Sequence, residues 1–131
     1  MKTRVLIVED HPKTLTSMAS AVEAAEDMAL VAAVPTLAEG LVLLAGADLV
    51  LVDLHLGEDS GLDLIAAAQG FESVSTLVVT MFGDERTTVA AIEAGADGYV
   101  LKGDPNIDLL QSVRNVLAGE APISPAIARH L

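Results

Sequence analysis

A chain of 131 residues, 52% apolar and only 2% aromatic, suits one domain around one core of Ala, Val, Leu and Ile, and is too apolar for a disordered chain. Its net charge of −12 argues against direct contact with phosphate backbones, and the absence of cysteine excludes a disulfide framework and thiolate metal sites. The uncharged runs, such as 73–83, are too short to cross a bilayer, and "MKTRVLIVED" is no signal peptide, so a soluble cytoplasmic domain with no membrane contact is expected.

The first element is a strand, "RVLIV" (4–8), followed by Glu9 and Asp10. Taken singly, Asp10 reads as a helix N-cap. A helix over 13–25 places Leu15, Met18, Ala19 and Val22 on one face. A second strand, "ALVAAV" (29–34), leads to a helix over 37–44 with Leu37, Leu41 and Leu44 on one face. The third strand, "DLVLVD" (48–53), ends in Asp53, a carboxylate that needs a partner at the end of a buried run. A loop reaches Gly61, then comes a short helix, "LDLIAAAQ" (62–69). The fourth strand is "STLVVT" (75–80), and the helix after it is "ERTTVAAIEAG" (85–95), with Gly95 as C-cap. The fifth strand, "GYVL" (98–101), precedes Lys102 and a helix over 104–119, with Asp104 as N-cap, Pro105 at the first helical position and Gly119 as terminator. The tail "APISPAIARHL" (121–131) reads as a linker that stops abruptly.

The strands are Val- and Leu-rich without polar alternation, as in sheets covered on both faces. Five strand–helix alternations predict an α/β, doubly wound, five-stranded parallel sheet with five helices. Right-handed crossovers then gather all five strand C-termini on one edge, where open α/β sheets bind ligands. That edge collects Glu9, Asp10, Asp53, Thr80 and Lys102. Three carboxylates so placed repel one another unless a cation or proton intervenes. An oxygen-only ligand set suits Mg²⁺. An aspartate beside such a metal can attack phosphorus, with the lysine and threonine stabilising phosphoryl charge.

The segments "VLIVEDHP", "VDLHLGEDSGLDLI", "LVVTMF" and "GADGYVLKGD" together resemble the receiver domain of two-component response regulators, over residues 4–118. The resemblance implies a flavodoxin-like sheet of order 2-1-3-4-5. It implies Asp53 as phospho-acceptor from a sensor histidine kinase, and Mg²⁺ held by Asp10 and Asp53, by Glu9 through water and by the backbone carbonyl of His55. Lys102 would pair with the phosphoryl group, Thr80 would shift toward it, and Tyr99 would rotate inward, reshaping the face of the fourth helix, fifth strand and fifth helix. His55 and Phe82 are expected to tune dephosphorylation. The domain would act catalytically only on its own phosphorylation and dephosphorylation.

The tail resembles the NarL/FixJ (LuxR-type) group, in which a linker leads to a helix-turn-helix domain. Residues 1–119 would then be the receiver and 120–131 the start of that linker, with DNA contacted only through a domain absent from this chain. The family's outer faces of helices 1, 4 and 5 imply a homodimer, and Ala90, Ala91 and Ala94 suggest close approach there. Two positions depart from the family pattern. Gly57 replaces a proline and is expected to loosen the loop after Asp53. Gly103 replaces the proline after the lysine, leaving a cis bond there unsupported. Two other readings remain: a phosphate-independent receiver-like dimerisation module, and a phosphohydrolase of the haloacid dehalogenase type, which wants an aspartate where His55 stands.

Overall fold

The computed structural model describes residues 2–123. The elements run β1 (Thr3–Val8), α1 (Pro12–Ala24), β2 (Met28–Val34), α2 (Leu37–Leu43) with a 3-10 turn after it, and β3 (Leu49–Val52). A two-strand hairpin follows, β4 (His55–Leu56) with β5 (Asp59–Ser60), then α3 (Gly61–Ala68), β6 (Ser75–Thr80), α4 (Glu85–Ala94), β7 (Gly98–Leu101) and α5 (Leu109–Leu117). The main sheet is parallel in the order β2-β1-β3-β6-β7. This is the five-strand 2-1-3-4-5 order of the flavodoxin-like fold.

Strand periodicity divides the core in two. Val5 and Ile7 of β1, with Leu49 and Leu51 of β3, face Met18 and Val22 of α1 and Val113 and Val116 of α5. The alternate residues Leu6, Val8, Val50 and Val52 face Leu37 of α2, Leu64 and Ile65 of α3 and Ala91 of α4. Both faces are covered, which is why no strand needed polar alternation. Among the described residues no helix is long and apolar enough to cross a membrane.

Several local expectations change. The α1 N-cap is His11, whose Nδ1 accepts from Thr14 N–H, and Asp10 is released from capping. Leu41 is exposed, and the inward position of α2 is Gly40, which lies against Val8. Helix α5 begins four residues later than expected, because Asp108 rather than Asp104 caps it, accepting from Gln111 N–H. Asp104 instead holds a separate turn through Asn106 N–H. Gly95 caps α4 at φ +110, as its sequence position suggests. Ala91 is fully buried and cannot form an outer contact surface, while Ala94 is half-buried, packing against the same core. The expected linker spans 120–131, of which 124–131 lie outside the described residues.

Candidate functional site

The register of the parallel strands builds the site. Val8 of β1 pairs with Val52 of β3, so the next residues, Glu9 and Asp53, emerge side by side. Thr80 of β6 pairs with Leu101 of β7, which places Lys102 one step beyond Thr80. Backbone bonds hold these ends: Asp53 N–H to the Val8 carbonyl at 3.1 Å and Lys102 N–H to the Thr80 carbonyl at 2.8 Å. Four residues remote in sequence thus share one sheet edge by hydrogen-bond registry alone.

Lys102 reaches across β6 to the acids. Its Nζ donates to Asp53 Oδ2 at 2.7 Å and makes an ion-pair contact with Glu9 Oε1 at 2.5 Å. Glu9 is fully buried, Asp53 is 7% exposed, and the Lys102 side chain is 14% exposed. Burial lifts the Glu9 carboxyl above its ordinary range, against the opposing pull of Lys102 and the His11 N–H. Burial alone would lower the Lys102 ammonium, but hydrogen bonds to Asp53 and Glu9 and their charges outweigh it, and the net is upward. The lysine therefore stays charged. Asp53 Oδ1 also accepts from His55 N–H at 3.3 Å.

Oxygens of Glu9, Asp10 and Asp53 all lie within 4.8 Å of one another. The cluster carries three acids against one ammonium, and Glu9 Oε1 has no aligned hydrogen-bond donor. A hard divalent cation with oxygen ligands fits that donor set and that surplus of negative charge.

The other expected residues surround this centre. Thr80 is fully buried, and its Oγ1 accepts from Phe82 N–H at 3.4 Å. Tyr99 is 1% exposed, lies in the inward position and donates its hydroxyl to the Phe82 carbonyl. Burial pushes its phenol up to about 12. His55 and Phe82 are exposed at the rim with ring centroids 4.3 Å apart.

Two features escaped the sequence reading. Gly57 is not loose: it turns the β4–β5 hairpin at φ +66, and its N–H donates to Asp10 Oδ2 at 2.9 Å. A proline there could neither adopt that φ nor make that bond. The Lys102–Gly103 bond is trans, as are all peptide bonds among the described residues. The second feature is a cavity of about 510 Å³ beside the centre, between α1 and the β7–α5 loop, with Lys13, Ser17, Met81 and Lys102 in its lining.

Residues 5–114 match the family model described as the response regulator receiver domain. The chain belongs to that family. As a receiver domain it is a signalling module and not a metabolic enzyme, and response regulators of this kind take their phosphoryl group from sensor histidine kinases. The chain is similar to a nitrate/nitrite response regulator protein homolog of Haemophilus influenzae, at 31% identity over 96% of this chain and 62% of that protein. It is similar to the oxygen regulatory protein NreC of Staphylococcus epidermidis, at 30% identity over 98% of this chain and 61% of that one. It spans about six-tenths of the length of these relatives. A LuxR-family two-component response regulator from Aurantimonas sp. superposes with a TM-score of 0.89 at 28% identity, covering 99% of this receiver and 95% of that chain.

Proposed function

We propose that this receiver accepts a phosphoryl group on Asp53 and uses the resulting charge to reset the face formed by α4, β7 and α5. The observation that carries this reading is Asp53 itself, nearly buried, hydrogen-bonded by Lys102 and within 4.8 Å of two further acids. In the transfer, an Asp53 carboxylate oxygen attacks phosphorus. The new P–O bond forms as the P–N bond of a phosphohistidine breaks, and the imidazole leaves with the electron pair. Asp10 and Asp53, Glu9 through water and the His55 carbonyl would hold Mg²⁺, which supplies charge neutralisation at the phosphoryl oxygens. Lys102 exchanges its bond to Asp53 for one to the phosphoryl group, and the Thr80 hydroxyl donates to it. Tyr99 responds through the Phe82 backbone that it shares with Thr80. Lys13 and Lys102, facing one cavity in a chain of net charge −12, give an anionic donor its favourable approach. His55 and Phe82 cover the rim and set how readily water reaches the acyl phosphate.

The receiver unit is 1–119, and 120–131 is similar to the start of the linker that leads to a DNA-binding unit in regulators of the NarL/FixJ group. Its partners are a sensor histidine kinase and a second copy docking through α1, α4 or α5. The test is uptake of phosphoryl from acetyl phosphate, or of beryllofluoride, with and without Mg²⁺. Uptake should require Mg²⁺ and vanish in Asp53→Asn. Wild-type protein that takes up neither reagent with Mg²⁺ present would sink the reading.

A further inference from the structure

The outer edge of β7 is already occupied by the chain's own later segment. After α5, the Glu120 N–H returns to the Asn115 carbonyl at 2.9 Å and the backbone turns back toward the sheet. The Tyr99 N–H then donates to the Pro122 carbonyl at 2.9 Å, and Tyr99 and Ile123 form a parallel bridge. The seat has shape as well as a donor. Gly98 is bare where the Pro122 ring lies; a Cβ there would sit 3.0 Å from Pro122 Cγ and 3.2 Å from its Cδ. Ile123 packs against the core cluster that contains Ala91 and Tyr99.

The residue that holds this segment, Tyr99, also reaches toward the site, its hydroxyl bonded to the backbone of Phe82 at the rim. Thr80 Oγ1 accepts from Phe82 N–H, the Phe82 carbonyl accepts from the Tyr99 hydroxyl, and the Tyr99 N–H donates to Pro122. Three hydrogen bonds thus connect the buried hydroxyl of the site to residue 122. One two-residue parallel bridge on a sheet edge belongs to the low end of local stability, where a small displacement of its partner opens or closes it.

We propose that the β7 edge is a docking seat for the extended segment 121–123, and that occupancy of this seat is coupled to the position of Tyr99 and so to the state of Asp53. The coupling half rests on the phosphoryl-acceptor reading; the seat does not. Coupling is reciprocal, so a chain that leaves the seat also changes the ease of loading Asp53. The phosphoryl signal then reaches the following chain through the sheet edge, beside the helical face.

Amide hydrogen exchange of the 131-residue chain tests both halves. Ile123→Asp removes the apolar contact and should speed exchange of the Tyr99 amide by about tenfold or more, while amides of β1 and β3 stay protected. Ile123→Val should restore protection. Equal Tyr99 exchange in wild type and Ile123→Asp overturns the seat. For the coupling, beryllofluoride with Mg²⁺ should shift Tyr99 exchange several-fold in wild type and leave Asp53→Asn unchanged. A response at Thr80 and Lys102 with none at Tyr99 overturns the coupling alone. No response anywhere overturns the acceptor reading and the coupling with it, and the seat still stands or falls on Ile123→Asp.

Discussion

The two edges of the sheet hold their charges in opposite ways. At the carboxyl edge, Lys102 lies between Glu9 and Asp53, with side chains 14%, 0% and 8% exposed. At the amino edge, Arg4 pairs with Asp48 and Arg114 with Asp27, in side chains 31–54% exposed. The distances are similar, 2.5–2.7 Å against 2.8–3.0 Å, so geometry does not separate them. Solvent does. Water screens the amino-edge pairs, and an exposed pair contributes little. The carboxyl-edge charges were taken out of water at a cost that their mutual attraction repays incompletely. An acidic centre held by one lysine is the arrangement that the proposed phosphoryl transfer to Asp53 would use, the lysine exchanging its bond to the acid for one to the incoming group.

Removing Lys102 should produce the largest effect. Lys102→Met leaves Glu9 and Asp53 buried with no cation and should destabilise the fold by about 3 kcal/mol at neutral pH, read by urea unfolding. The pH dependence has a definite sign. Glu9 already titrates above its ordinary range, so the folded state binds its proton more tightly than the unfolded chain does. The penalty is therefore fully present above the folded value and is relieved as pH falls through it toward the unfolded value. Loss of Lys102 raises Glu9 further, so the variant should recover toward wild type on acidification. A Lys102→Met protein as stable as wild type at neutral pH would erase the contrast between the two edges.

Tyr99 gives a smaller and cleaner reading of the same burial. It is the single tyrosine in a chain without tryptophan, so its phenolate absorbance is unobscured. Burial pushes it from 10 to about 12. The folded state holds the proton longer than the unfolded chain, so stability begins to fall as pH rises through 10 and continues to fall toward 12. Spectroscopic titration should show no ionisation step near 10 in native protein and a full one there in denaturant. A native step near 10 would mean that the ring is not held inward.

Most of this architecture was readable from residue order, for one physical reason: the strands are apolar runs without polar alternation, and those that build the site each lead directly into a polar residue. Val8-Glu9, Val52-Asp53 and Leu101-Lys102 mark strand ends without any structure, and the crossover rule brings those ends together. The misplaced details share a different cause. The apolar stripe of α2 was set on Leu41 because Gly40, the residue that approaches Val8, adds no hydrophobic signal. Two aspartates compete to cap α5, and Pro105 favoured the wrong one; the turn at Asp104 uses the same side-chain chemistry as a cap. His11 caps α1 through a ring nitrogen, outside the usual capping set. Gly57 looked like lost stiffness, but its gain is a backbone donor to Asp10, which depends on a φ that residue order does not display. The bridge at Ile123 involves two residues and leaves no periodicity to detect.

The smallest effect belongs to the exposed edge. Arg114 donates through Nε and an Nη to both oxygens of Asp27, at 2.8 and 3.1 Å, tying α5 to the α1–β2 turn. The guanidinium lowers the Asp27 carboxyl below 3.8. A lowered acid stabilises the fold above its unfolded value, and that contribution is lost as pH falls through the folded value. Because both groups stand in solvent, Arg114→Gln should leave the thermal midpoint unchanged at about 0.15 M salt and lower it only slightly at low ionic strength, with the difference disappearing below pH 3.8. The same pair of scans on Lys102→Met in monovalent salt should show a loss that salt changes much less, since Glu9 is fully buried and a buried charge is screened far less than an exposed one. Salt sensitivity at the amino edge with much weaker sensitivity at the carboxyl edge would distinguish a surface staple from a reactive centre by dielectric environment alone.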